Sequence, residues 1–266
     1  MKQAYIEKTR LFLFDMDGTL YLGNRLYDFT KELLATIKKQ GRQYLFMTNN
    51  SSKSVADYIK KLEKLGIPAT REDFITSSQA TAYYLHKHHE GQMLYVCGTN
   101  SLKEELRREG FVVTEIADEA ECIVMGFDTE LTFQKLEDVS RLLLTRDIPY
   151  IATNPDLVCP TEFGSVPDCG SVCQMIENAT GKRPVVIGKP TPLMPELAME
   201  RWGYGKEETC VIGDRIYTDI KSGLNAGITT VLVMSGETTR EILSESKDKP
   251  HIVLEDAGEI LDILKS

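Results

Sequence analysis

The chain has 266 residues, of which 42% are apolar and 27% charged, as is typical of one large globular domain or two modest ones. Its formal net charge is −9, so we expect neither a nucleic-acid-binding surface nor a basic membrane-binding patch. No apolar run approaches the ~20 residues of a membrane-spanning helix. The N-terminus also lacks the apolar segment of a signal peptide. Together these features predict a cytoplasmic protein that binds any anionic ligand locally, with amides, a lysine or a metal.

Short apolar runs alternate with amphipathic helical patterns toward both ends of the chain. RLFLF is the first predicted strand, and a helix follows over residues 28–39 and stops at Gly41. A second helix, which Ser52 or Ser54 can cap, ends at Gly66. The predicted strands of this series are 10–14, 44–48, 74–78, 185–188, 209–213 and 229–233. Such alternation predicts an α/β fold with a doubly wound parallel sheet.

A second α/β series lies inside the first. Its predicted strands are 93–98, 122–127 and 148–153, with helices at 101–109 and 133–145. We therefore predict a core made of residues 1–78 and 185–266 and an inserted unit over 79–184. A long loop rich in proline and glycine follows at 153–171, of the kind that is usually functional or disordered.

Three residue groups are open to more than one interpretation. The six scattered cysteines form no CxxC pair, and Cys97, Cys122 and Cys210 lie in apolar strand-like runs. Free buried thiols are therefore favoured over zinc ligands. HKHH at 86–89 falls at a predicted helix end, where a structural role is favoured over a metal site. Similarly, CGTNSLKEEL after strand 93–97 indicates a capped helix rather than a phosphate-binding loop.

Polar residues follow directly after four of the predicted strands. Ligands of open α/β sheets bind beyond the carboxyl ends of the strands, so a single parallel sheet brings these residues together. They are Asp15 to Gly18 after the first strand, Thr48 to Asn50 after the second, Gly188 to Pro190 after VVI, and Gly213 to Arg215 after TCVI, with Asp219 one helical turn further on.

Several carboxylates with no dominant basic cluster indicate a hard divalent cation, and Mg²⁺ binds carboxylate and phosphate oxygens. Such a cation would let Asp15 stay ionised as a nucleophile and would neutralise charge on a phosphoryl group. Asp17 could protonate the leaving oxygen and later activate water. Lys189 and Thr48 would hold phosphate oxygens, and so would the amides around Gly18.

Four stretches in this order resemble the motifs of the haloacid dehalogenase (HAD) superfamily of phosphatases: DMDGTL, TNN, GKP and GDRIYTD. About 30 residues separate Asp17 from Thr48 and about 140 separate Thr48 from Lys189. This spacing resembles the NagD-like and para-nitrophenylphosphatase subfamily, whose cap domain lies between motifs two and three. IATNPD, GSV and ATGKRPVVIGKP also resemble its characteristic stretches, so that the resemblance covers nearly the whole chain.

The resemblance implies a Rossmann-like core with an inserted α/β cap, Mg²⁺ dependence and an aspartyl-phosphate intermediate. By motif match, Asp15 is the nucleophile and Asp17 the general acid and base. Mg²⁺ would bind Asp15, the backbone carbonyl of Asp17, and Asp214, with Asp219 supporting the site indirectly or through water. Phosphate or substrate contacts are expected from Gly18, Thr48, Asn49 and Lys189.

Because family caps close over the core site, the 153–171 loop is the expected source of further substrate contacts, with Asn154, Asp156, Asp168 and Cys169 as candidates. A purely structural loop is the alternative. The expected activity is hydrolysis of a small phosphorylated metabolite: a sugar phosphate, a nucleoside monophosphate or pyridoxal phosphate. Family relatives often pair through their caps, so a homodimer is one expected assembly. A phosphotransferase or phosphomutase and a non-catalytic phosphate-binding protein are the competing functions.

Overall fold

A computed structural model describes residues 2–161 and 163–266. The chain divides into two compact units. The core unit comprises Met1–Thr48, Ile59–Ile75 and Lys189–Ser266, and the inserted unit comprises Asn49–Tyr58 and Thr76–Gly188.

The core unit is built on a six-stranded sheet in the order β15-β14-β13-β1-β4-β5 within the described residues. β1 pairs in parallel with β13 and β4, and β14 pairs in parallel with β13 and β15. The bounds of these strands are β1 Leu11–Phe14, β4 Gln43–Thr48, β5 Phe74–Thr76, β13 Thr209–Gly213, β14 Thr229–Val233 and β15 Ile252–Leu254. A short hairpin follows β1 and consists of β2 Tyr21–Leu22 and β3 Arg25–Leu26.

Helices connect these strands. Those of the core unit are α1 Lys2–Lys8, α2 Thr30–Lys39, α8 Leu193–Trp202, α9 Lys221–Ala226, α10 Arg240–Glu245 and α11 Gly258–Lys265, and α3 Val55–Lys64 contributes residues to both units. Every residue of β1 is buried. A strand covered on both faces has no solvent face, which explains why LFLF is a continuous apolar run instead of an alternating one.

The inserted unit has its own five-stranded sheet, in the order β12-β9-β8-β6-β7. Its strands are β6 Leu94–Cys97, β7 Val113–Thr114, β8 Cys122–Met125, β9 Tyr150–Ala152 and β12 Val185–Val186, and its helices are α4 Ser77–His88, α5 Asn100–Arg108, α6 Phe133–Thr145 and α7 Cys169–Thr180. A hydrophobic cluster between the sheet and α6 and α7 includes Ile123, Met125 and Leu142.

The predicted helices at 28–39, 101–109 and 133–145 are confirmed as α2, α5 and α6. Ser54 caps α3 by accepting a hydrogen bond from the amide of Asp57. Thr99 likewise accepts from the amide of Leu102 at the start of α5, as the capped-helix interpretation expects.

The strand predicted at 185–188 was wrongly assigned to the core sheet. Val185 and Val186 pair in parallel with Ile151 and Ala152, so this strand lies at the edge of the second sheet. A two-residue apolar strand carries no local signal for its partner, because pairing is set by tertiary contacts. Lys189 is the first residue of the core unit's last segment. The 153–171 loop also contains an unpredicted antiparallel hairpin, β10 Val158–Thr161 and β11 Gly164–Pro167.

The six cysteines are free thiols, and Cys97, Cys122 and Cys210 are buried in strands as predicted. His86 and His88 lie in the last turn of α4, as the structural interpretation of HKHH expects. No helix among residues 2–161 and 163–266 is long and apolar enough to cross a membrane.

Candidate active site

Asp15 lies directly beyond the central strand of the core sheet. Its amide donates to the carbonyl of Ile212 in β13, at 2.8 Å, which continues the β1–β13 pairing by one residue. The chain then wraps around the Met16 carbonyl, which accepts from the amide of Leu20 at 2.9 Å. Gly18 has a φ of +81°, a conformation that only glycine adopts without strain. This turn presents Asp15 and Asp17 at the edge of the sheet.

Asp214 and Asp219 come from the end of the neighbouring strand β13. Asp214 follows Gly213, and a five-residue π-helical turn over Ile216–Ile220 then brings Asp219 back toward the strand. The amide of Arg215 donates to Oδ2 of Asp219 at 3.1 Å. A side chain at Gly213 would overlap Asp219, so the glycine makes room for this carboxylate. Both aspartates are buried.

Lys189 forms hydrogen bonds with aspartates that follow both strands, β1 and β13. Its Nζ donates to Oδ1 of Asp15 at 2.7 Å and to Oδ1 of Asp219 at 2.5 Å. A third hydrogen bond goes to the backbone carbonyl of Met47, in β4, at 3.2 Å. The lysine is 2% exposed, and an ammonium group in such surroundings requires these three acceptors.

Asp15, Asp214 and Asp219 form a candidate metal centre. Each offers one carboxylate oxygen, and the three oxygens lie within 4.8 Å of one another. Oδ1 of Asp214 is buried and finds no hydrogen-bond donor among the described residues. A buried carboxylate oxygen without a donor is costly, and a hard cation would satisfy it. Oxygen donors of this kind suit Mg²⁺, so the residues present fit the ion.

The electrostatics of the cluster support the same conclusion. Burial, followed by the charges of Asp15 and Asp219, raises the pKa of Asp214 to about 8. Burial likewise raises the pKa of Asp219, to about 6, although Lys189 acts against it. For Lys189, burial lowers the pKa, but the charges of the two carboxylates outweigh burial and the pKa lies above its usual range. The cluster therefore carries more negative charge than its one lysine compensates.

Asp17 has a different environment from the other aspartates. The residue is exposed and stands outside the group of three clustered carboxylates. Its Oδ1 accepts a long hydrogen bond, 3.4 Å, from the amide of Gly23. Loss of hydration around the carboxyl nevertheless raises the pKa of Asp17 above its usual value, a direction that suits a proton donor.

The predicted phosphate-binding residues Thr48 and Asn49 fall in different units. Thr48 is the buried last residue of β4, in the strand next to β1. Asn49 belongs to the inserted unit, where its Nδ2 donates to both carboxylate oxygens of Asp156 at 3.2 Å. Asn49 has a polar partner of its own, and its contact with phosphate stays a prediction.

The candidate substrate residues of the 153–171 loop make structural hydrogen bonds. Asn154 is fully buried and donates through Nδ2 to the carbonyl of Asn49 at 3.0 Å. Asp168 caps α7 by accepting from the amide of Cys169 at 2.5 Å. These contacts favour the structural interpretation of the loop, and substrate contacts by its residues stay predictions.

The structure brings one further segment to the site, which the sequence-based prediction does not include. The residues after β14, Ser235 to Thr238, form a loop that we name the 235–238 loop. The amide of Glu237 donates to Oδ2 of Asp214 at 2.7 Å, and Ser235 donates through Oγ to the carbonyl of Gly18 at 2.7 Å. The rule that ligands bind beyond strand ends applies to β14 too, and it would have found this loop. No role for Arg215 follows from the sequence either.

Comparisons with known proteins identify the family of the chain. Residues 12–112 match the family described as haloacid dehalogenase-like hydrolase, and residues 186–260 match a second one described as HAD-hydrolase-like. The chain is 36% identical over 239 residues to 5'-nucleotidase YutF of Bacillus subtilis, which covers 90% of this chain and 92% of that protein. It is 32% identical over 256 residues to the acid sugar phosphatase of Staphylococcus aureus, which covers 96% and 98%.

Solved structures show the same fold. The crystal structure of 4-nitrophenylphosphatase from Thermotoga maritima superposes with a TM-score of 0.93 at 38% sequence identity, over 98% of each chain. A relative this similar over nearly its whole length shares the family as well as the fold. The chain therefore belongs to the haloacid dehalogenase-like hydrolases, in their NagD-like and para-nitrophenylphosphatase group, and is a phosphoric monoester hydrolase.

Proposed function

We propose that this protein is a Mg²⁺-dependent phosphatase that hydrolyses small phosphomonoesters through a phosphorylated Asp15. The observation that carries this proposal is the cluster of Asp15, Asp214 and Lys189, in which a buried oxygen of Asp214 has no donor among the described residues. A nucleophile that is hydrogen-bonded to an ammonium group, with a cation-binding carboxylate oxygen within 4.8 Å of it, suits phosphoryl transfer.

In the first step, a carboxylate oxygen of Asp15 attacks phosphorus and forms an acyl-phosphate bond. The bond between phosphorus and the ester oxygen breaks, and the protonated carboxyl of Asp17 gives its proton to the departing alcohol. The raised pKa of Asp17 favours the protonated form that this step needs. Lys189, held between Asp15 and Asp219, orients the nucleophile and offers its positive charge to the phosphoryl oxygens.

In the second step, Asp17 is ionised and takes a proton from water. The water oxygen attacks phosphorus, the bond to Asp15 breaks, and inorganic phosphate leaves. Asp17 is protonated again, so the cycle closes without another reactant.

Asp15, Asp214 and the carbonyl of Asp17 would hold the Mg²⁺ ion, with Asp219 supporting them. When bound, Mg²⁺ neutralises charge on the phosphoryl group. Asp214 is fixed for this role through its other carboxylate oxygen, since Oδ2 accepts from the amide of Glu237.

The proposed substrates are small phosphorylated metabolites of the nucleoside monophosphate and sugar phosphate classes. The names of the relatives support this range, because one is a 5'-nucleotidase and another an acid sugar phosphatase. The fold alone does not select among phosphoric esters.

The test is phosphate release from a panel of these esters, measured with Mg²⁺ and with EDTA. Asp15→Asn removes the nucleophile, and Asp28→Asn is a matched control because Asp28 is an exposed aspartate of the core unit. We expect Mg²⁺-dependent release by the wild type and by Asp28→Asn, and none by Asp15→Asn. Acid quenching during turnover should leave one phosphoryl group on the peptide that contains Asp15. Transfer of phosphate to a second organic molecule, with no release to water, would favour a phosphotransferase instead.

A further inference from the structure

The 235–238 loop is hydrogen-bonded to two segments that carry the candidate site: the turn around Gly18 and the segment that begins at Asp214. Toward the first segment, Ser235 donates through Oγ to the carbonyl of Gly18, at 2.7 Å. Toward the second, the amide of Glu237 donates to Oδ2 of Asp214 at 2.7 Å, and the amide of Thr238 donates to the Asp214 carbonyl at 3.2 Å. Any side chain at Gly236 would overlap the Asp214 carboxylate, so the loop backbone packs directly against it.

The side chain of Glu237 makes two further contacts, both with residues that follow Asp214. Its Oε2 lies 2.8 Å from Nε of Arg215, and its Oε1 accepts from the hydroxyl of Tyr217 at 2.6 Å. The Arg215 side chain is 22% exposed and that of Glu237 is 38% exposed, so the ion pair is partly shielded from solvent. Glu237 is thus joined to the 214–217 segment three times, once through its backbone and twice through its carboxylate.

We propose that Glu237 is a positioning residue for Asp214. Its carboxylate attaches the 235–238 loop to Arg215 and Tyr217. These contacts fix the direction in which the Glu237 amide donates to Oδ2 of Asp214. With Oδ2 held in this way, Oδ1 of Asp214 is turned toward Asp15 and Asp219 as a cation ligand. This inference deepens the proposed function and rests on it, because it concerns the proposed metal site.

These contacts predict that the metal affinity of the site depends on the Glu237 side chain. Without this side chain the loop keeps its amide hydrogen bonds to Asp214 but loses the contacts with Arg215 and Tyr217, so the Asp214 carboxylate is held less firmly. Removal of a partner that orients a metal ligand typically weakens metal affinity by about 10- to 100-fold. Glu237 reaches the site through Asp214 and the 215–217 segment, so the expected effect falls on metal affinity, and KM for the ester at saturating metal should change little.

The experiment measures Mn²⁺ binding to the full-length protein in the absence of substrate, from the paramagnetic resonance signal of free Mn²⁺. The variants are Glu237→Ala, which removes both attachments, Glu237→Gln, which keeps two polar atoms but no charge, and Tyr217→Phe, which removes one hydroxyl. Glu255→Ala is the matched control, because Glu255 forms an exposed ion pair with Arg240. Thermal unfolding in EDTA checks that each variant is folded.

We expect the Mn²⁺ dissociation constant to rise about tenfold or more in Glu237→Ala. Smaller increases are expected in Glu237→Gln and Tyr217→Phe, and none in Glu255→Ala. Should Glu237→Ala not fold, Glu237→Gln and Tyr217→Phe decide the question by the same measurement. Unchanged Mn²⁺ binding in the folded variants, or an equal change in Glu255→Ala, would overturn the role of Glu237 while leaving the metal site intact. If the wild type itself bound no Mn²⁺, the proposed metal site would fail, and the role of Glu237 with it.

Discussion

The ammonium nitrogen of Lys189 lies 2.7 Å from Oδ1 of Asp15, although 174 positions separate the two residues in the sequence. The same nitrogen lies 2.5 Å from Oδ1 of Asp219. One buried cation therefore compensates two of the three clustered carboxylates.

Lys189→Met should lower both stability and activity. It leaves Asp15 and Asp219 without their shared cation, and removal of one partner from a buried ion pair costs about 3–5 kcal/mol. Urea unfolding in EDTA measures this loss, and phosphate release should fall by at least about 100-fold. Lys221→Met is the control, since Lys221 forms a half-exposed ion pair with Asp248 that is worth at most about 1 kcal/mol. Equal losses of stability in the two variants would contradict the buried network.

Gly18→Ala should impair the site far more than Gly23→Ala does. Both glycines have positive φ, +81° and +60°, so an alanine at either position is strained by about 1–2 kcal/mol. At Gly23 nothing lies within 4 Å of the added carbon, whereas at Gly18 it would lie 2.5 Å from Oδ2 of Asp214. We expect Gly18→Ala alone to raise the Mg²⁺ concentration needed for half-maximal phosphate release. If the two variants required the same Mg²⁺ concentration, the close approach of Gly18 to Asp214 would be wrong.

Asp214→Asn should stabilise the metal-free protein at alkaline pH. Burial and two neighbouring carboxylates raise the pKa of Asp214 from 3.8 to about 8. The folded protein therefore binds this proton more tightly than the unfolded chain does. The resulting contribution to folding stability is fully present below the unfolded pKa and is lost as the pH rises through the folded pKa. The asparagine stays neutral and keeps an oxygen for the amide of Glu237.

Thermal unfolding in EDTA between pH 5 and 9 tests this prediction. The stability of the wild type relative to Asp214→Asn should fall progressively up to about pH 8, so that the variant becomes the more stable protein above it. Addition of Mg²⁺ should reverse the order at high pH, because only the wild type offers the full carboxylate to the ion. A difference between the two proteins that does not vary with pH would show that Asp214 is ionised in both states.

Asp168→Ala should destabilise the protein by about 1 kcal/mol, because it removes the cap of α7. Asp168→Asn should restore most of this stability, since an asparagine oxygen can also accept the amide hydrogen bond. KM for the preferred ester should be close to that of the wild type in both variants. A raised KM in Asp168→Asn at unchanged stability would instead support a substrate contact.

Much of this fold was predictable because its strands are locally distinctive. LFLF and the CVI of TCVIG are continuous apolar runs, as expected of strands buried on both faces, and polar residues follow each strand. The convergence of Asp15, Asp214 and Asp219 then followed from the parallel sheet. By contrast, Val185–Val186 is too short to indicate its own partner, and the prediction placed it in the wrong sheet.

The remaining differences concern interactions that residue type does not reveal. An aspartate before a helix can cap it or bind substrate, and only the hydrogen bond from the amide of Cys169 to Asp168 favours capping. The 235–238 loop contacts Asp214 mainly through backbone amides, so no residue type marks it, and only its position after β14 could have indicated it. Strand β15 and helix α11 were also missed, because the short run around Ile252 has few residues in which to show a pattern.

The order of strands in the core sheet has a consequence for synthesis on the ribosome. Central strand β1 is made early, but its neighbour β13 follows about 200 residues later, after the whole inserted unit. At ~5–20 residues per second, β1 waits about 10–40 s for that neighbour, with one of its two edges unpaired. The inserted unit has its own sheet and hydrophobic cluster and can form in that interval. Asp15, Asp214 and Lys189 come together only after nearly the full chain has emerged, so a truncated nascent chain carries the proposed nucleophile without the groups that would make it reactive.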